Sequence, residues 1–93
     1  MQILGYELVM TCGACPEQYD VFSEGGERVG YLRLRNGSFT AQHSPSGKEV
    51  YSASTIGDGV FDDGERDEHL IKAVLAINAQ EVYREYYISM IER

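Results

Sequence analysis

The chain has 93 residues, 43% hydrophobic and 25% charged, the length and composition of one ordinary globular domain spanning residues 1–93. Its formal net charge of −7 argues against a general nucleic-acid binder, which needs a basic surface to neutralise phosphates, and against docking on anionic lipid. No apolar run approaches the roughly 20 residues of a membrane helix, the N-terminal "MQILGYELVM" has no Lys or Arg and so does not read as a signal peptide, and the two cysteines are too few for a disulfide scaffold.

With no export signal, the expected setting is the cytoplasm, where thiols are kept reduced. Residues 3–12, "ILGYELVMTC", alternate with period two. That pattern predicts a first strand with Leu4, Tyr6, Leu8, Met10 and Cys12 on one face. "GACP" then breaks it, because Pro16 cannot donate to a ladder. "EQYDVF" reads as a second strand, and Gly25-Gly26 as the turn that follows.

Asn36-Gly37 sits between two β-prone runs, the strongest short-range hairpin signal. A two-residue turn there sets the register: Arg35 opposite Ser38, Leu34 opposite Phe39, Arg33 opposite Thr40, Leu32 opposite Ala41, Tyr31 opposite Gln42 and Gly30 opposite His43. One face then carries Leu32, Leu34, Phe39 and Ala41 with His43 at its end. The other carries Tyr31, Arg33, Arg35, Thr40 and Gln42. A one-residue slip would scramble this sorting.

"SPSG" is a further turn and "KEVYSAS" a further strand. The Gly- and Asp-rich "TIGDGVFDDGE" leads into a helix with Asp62 or Asp63 as its cap and Glu65, Asp67 and Glu68 in its first turns. Leu70, Ile71, Val74, Leu75 and Ile77 form an apolar stripe at helical spacing. In residues 78–93 the apolar residues Val82, Tyr83, Tyr86, Tyr87 and Met90 fall on a face rotated by roughly 120°. Either the helix breaks at Asn78-Ala79-Gln80, or it continues and buries its second half against something else, such as a second subunit. The expected fold is α+β: a mainly antiparallel meander of four to five strands, covered on one face by C-terminal helix, in two layers.

Four patterns invite chemistry. Cys12 and Cys15 form a C-x-x-C pair, but the long helix that thioredoxin-like chemistry needs after the motif has no room before Gly25-Gly26. A zinc site on Cys12, Cys15 and His43 lacks the second ligand pair that structural zinc uses. "DGVFDDGE" resembles the second half of an EF-hand-type calcium loop, with Asp58, Gly59, Phe61, Asp62 and Glu65 at matching positions. The leading ligand positions would be Ser54 and Ile56, which removes a principal charge. His43 and His69 have no matched catalytic partners in the sequence, and His69, amid acids, is expected to face solvent. No cofactor is therefore expected, and no enzyme.

Tyr31, Arg33 and Arg35 make a basic and aromatic stripe in an acidic protein, the residue types favoured at protein contacts. Tyr83, Tyr86 and Tyr87 make a second candidate contact, one that a homodimer would use. "CPEQYDVF", "GYLRLRNGSF" and "GDGVFDDGER" together resemble a group of small, uncharacterised bacterial and phage-borne proteins. The resemblance spans most of residues 15–75, leaves out "INAQEVYREYYISMIER", and implies a bacterial or phage source with no activity attached. The expectation is a small non-enzymatic protein-interaction module that binds neither nucleic acid nor membrane. The alternative is a zinc or thiol-redox protein using Cys12 and Cys15.

Overall fold

Asn36 and Gly37 both take positive φ, 53° and 73°, the two-residue turn whose twist matches that of the strands it joins. In the computed structural model, which describes residues 1–12 and 16–91, this turn joins β4 (Arg28–Arg35) to β5 (Ser38–His43). All six cross-strand pairs from Arg35–Ser38 to Gly30–His43 are those that the turn dictates. Leu32, Leu34, Phe39, Ala41 and His43 are buried together on one face.

The other strands extend this hairpin on both sides. β1 (Gln2–Ile3), β2 (Tyr6–Met10) and β3 (Gln18–Phe22) precede it, and β6 (Lys48–Ser54) follows. Each strand pairs antiparallel with its sequence neighbour, giving an open six-stranded sheet in the order β1-β2-β3-β4-β5-β6. A bulge opposite Val21 and Phe22 lets Val29 and Gly30 both point into the interior.

The strand count exceeds the expected four to five because residues 3–12 are not one strand. Leu4 and Gly5 take φ of 53° and 86°, and the chain reverses there, pairing Ile3 with Tyr6. The turn shifts the phase of the alternation, so Ile3 and not Leu4 shares a face with Tyr6, and Leu4 is exposed at the turn. Leu8 is buried, whereas Met10 is exposed and Cys12 lies half-buried beyond β2.

A single helix, α1 (Arg66–Ile91), packs its Leu70, Ala73, Val74 and Ile77 onto the sheet, mainly against β4, β5 and β6. The helix runs unbroken through Asn78-Ala79-Gln80. Ile77 packs closely over Gly30, where a Cβ would collide with Ile77 Cδ1. The core joins these helical residues to Leu8, Tyr19, Val21, Val29, Leu32, Leu34, Phe39, Ala41 and Phe61. No described helix is long and apolar enough to cross a membrane.

Candidate functional site

Two buried carboxylates organise the end of the sheet where α1 begins. Glu17 accepts hydrogen bonds from the Tyr19 hydroxyl, from Phe61 N–H at 3.1 Å, and from Arg66 Nε and Nη2 at 3.1 and 3.2 Å. Burial alone would push its carboxyl up; the bonds from Arg66, Tyr19 and Phe61 outweigh that and hold it below the ordinary range. Burial, and then the Glu17 carboxylate, push the Tyr19 phenol up, which keeps its proton in the bond to Glu17.

Glu65, the residue before α1, turns its carboxylate back into the preceding loop. It accepts from the N–H groups of Ile56 at 2.9 Å, Gly57 at 2.7 Å and Asp62 at 2.9 Å. Burial pushes its carboxyl up, but the bonds from Gly57, Ile56 and Asp62 outweigh that and hold its pKa below the ordinary range. The residue matching the bidentate calcium ligand of an EF-type loop therefore has both oxygens engaged by backbone donors. The predicted cap at Asp62 or Asp63 shifts accordingly: the Asp62 carbonyl accepts from Glu65 N–H at 3.1 Å, and the Glu65 carbonyl accepts from His69 N–H at 3.1 Å. His69 is not the solvent-facing residue the sequence suggests. Its ring stacks on Phe61 at 5.7 Å, and its Nδ1 lies 2.9 Å from the Tyr51 hydroxyl.

His43 is buried at the opposite end of the sheet. Its Nε2 lies 2.6 Å from Glu81 on α1, and its Nδ1 lies 2.7 Å from Ser46 Oγ. A serine, a histidine and a carboxylate in series suggest acyl-transfer chemistry, which also requires donors for an oxyanion. The nearby N–H groups are committed elsewhere: Ser46 to His43 Nδ1, Gly47 to the His43 carbonyl and Lys48 to Ser46 Oγ. The set works as a clasp that fastens the middle of α1 to the β5–β6 turn.

With both ring nitrogens engaged, His43 has none left for zinc. Cys12 stands apart from it, and Cys15 lies outside the described residues. Among the described residues, no group of three or more His, Cys, Asp or Glu is placed to hold a metal ion.

The outer sheet face carries Tyr31, Arg33 and Arg35. The Tyr31 hydroxyl donates to Gln18 at 2.6 Å, and Arg28 lies over its ring at 5.6 Å while pairing with Asp20 at 2.8 Å. Arg35 is exposed, and Arg33 Nε is buried without an acceptor among the described residues. Tyr31 and Arg33 line a depression of about 300 Å³ with Thr40, Gln42, Gly47 and Glu49.

The free face of α1 is the larger feature. Beyond Ile77 no residue of the helix is fully buried, and Val82, Tyr83, Tyr86, Tyr87, Ile88, Met90 and Ile91 are 43–65% exposed. Tyr83 and Tyr87 stack on each other at 6.3 Å. Ile71 and Leu75, expected in the core stripe, are 43% and 50% exposed. They belong to the back of the helix, which a single broad stripe from Leu70 to Ile77 had concealed. Against family models, curated proteins and solved structures alike, the chain finds no match.

Proposed function

We propose that this chain is a small non-enzymatic protein-interaction module, bacterial or phage-borne and acting in the cytoplasm, whose contact surface is the free face of α1. The supporting observation is the exposure of Ile71, Leu75, Val82, Tyr86 and Met90, which helical spacing puts on the side of α1 turned away from the sheet. Single exposed apolar residues are ordinary, but a contiguous patch of this kind marks a contact surface. The outer-face residues Tyr31, Arg33 and Arg35 offer a second, more polar contact.

The test is a photo-reactive benzoylphenylalanine placed at residue 86 of the full chain in its native host. A covalent protein adduct there, and none from the same probe at the exposed Asp63, is the expected result. No adduct from residues 82, 86 and 90 alike would overturn the reading.

A further inference from the structure

The apolar residues on the back of α1 have a regular spacing. Ile71, Leu75, Ala79, Val82, Tyr86 and Met90 are separated by steps of 4, 4, 3, 4 and 4 residues. At ~100° per residue the centre of this stripe lies roughly 160° around the helix from that of the buried Leu70, Ala73, Val74 and Ile77. The stripe therefore faces directly away from the sheet. Each residue recurs after eleven: Ile71 to Val82, Leu75 to Tyr86, Ala79 to Met90. An eleven-residue period is ~3.67 residues per turn, close to the helix's own 3.6, so the stripe stays nearly parallel to the axis over its ~29 Å.

The spacing also reads the same in both directions. Reversing the helix about the midpoint between Gln80 and Glu81 exchanges Ile71 with Met90, Leu75 with Tyr86 and Ala79 with Val82. A two-fold dimer needs this property, because one surface must complement itself after rotation. The exchanged pairs are complementary in size: the small Ala79 faces Val82 at the centre, and Leu75 faces the bulky Tyr86. Within the span of the stripe the charged residue nearest its centre line is Lys72, which is paired with Glu68 at 2.7 Å.

We infer that a second copy of this chain covers the stripe, its α1 lying antiparallel on the first with the two-fold axis passing between Ala79 and Val82. The inference rests on the reading of α1 as the contact surface and names its occupant. Tyr86 is 65% exposed and Ile71, Leu75, Val82 and Met90 are 43–57% exposed, so the stripe offers on the order of 500 Å² per copy and roughly 1,000 Å² in all, the low end of a specific interface. The two sheets would lie on opposite outer sides of the helix pair, clear of one another.

The decisive experiment uses the full chain with Cys12 and Cys15 replaced by serine. Leu75→Cys and Tyr86→Cys variants are purified separately, then oxidised alone and mixed. The antiparallel pair gives a disulfide between Leu75→Cys and Tyr86→Cys chains in the mixture, and little from either alone. Light scattering of the unsubstituted chain gives twice 10.4 kDa, and Ala79→Glu, an exposed change that leaves the circular dichroism spectrum intact, returns it to the monomer mass. A monomer at about 100 µM, well above a micromolar dissociation constant, overturns the inference, as does self-crosslinking of Leu75→Cys. A heteromeric adduct from residue 86 in cells, with a monomer in solution, would sink the second copy yet leave the contact-surface reading standing. The absence of any adduct would sink both.

Discussion

Glu17 joins three separated segments through one carboxylate: β3 at Tyr19, the loop at Phe61 and the helix at Arg66. Glu17→Gln leaves the shape nearly unchanged but removes the charge that Arg66 faces. The expected loss is about 2–3 kcal/mol, the range for buried hydrogen bonds to charged groups, read as a lower urea midpoint at unchanged slope. The carboxyl is held below its ordinary value in the folded chain, so the unfolded chain binds the proton first. The stability it contributes is complete above pH ~4.5 and is lost as pH falls through the folded value. Glu17→Gln should therefore flatten the acid limb of the stability profile. Leu4 holds positive φ without glycine's freedom, which costs roughly 1 kcal/mol. Leu4→Asn should recover part of that cost and raise the melting temperature. Neither residue was legible in the sequence. Glu17 and Arg66 are 49 positions apart, and no periodicity relates them. Leu4 happened to fall in step with Tyr6 and Leu8, so the apolar alternation ran through a turn that in fact reverses the chain and shifts the phase.

The β4–β5 hairpin was legible to the residue because two constraints agreed: a turn with one preferred geometry, and a register that sorts apolar from polar side chains. The helix was legible only as a helix. Its apolar residues lie on two faces, and sequence periodicity cannot say which one meets the sheet. Gly30 decides this, because only a residue without a side chain admits Ile77 so closely. Gly30→Ala should cost about 1–3 kcal/mol through overpacking. Ile77→Val, which removes the colliding Cδ1, should restore part of the loss in the double variant, and chemical denaturation of all four chains measures the coupling. The Asp58–Glu65 segment resembled half a cation loop because a carboxylate that collects three backbone N–H groups needs the same tight glycine-rich turns as one that holds calcium.

At the scale of the molecule, the dimensions of 47 × 22 × 19 Å reflect a helix longer than the sheet it covers. Each copy carries a net charge of −7, so bringing two together works against like-charge repulsion. Added salt should tighten the helix pair, since at ~0.1 M the Debye length is already near 10 Å. Sedimentation equilibrium across salt concentrations measures this, and a dimer that weakens with salt would point to an ionic interface instead.

A sheet in which every strand touches only its sequence neighbours also bears on how the chain acquires its structure. No strand must wait for a distant partner, so the loop-closure entropy that slows Greek-key proteins is largely absent here. The β4–β5 hairpin can form first and recruit β3 and β6 from either side, with α1 following directly from β6. Some contacts do span most of the chain. Tyr6 donates to Asn78 across 72 positions at 2.8 Å, tying the first hairpin to the helix. Formation of that bond would be among the last events of folding, and its opening among the first of unfolding.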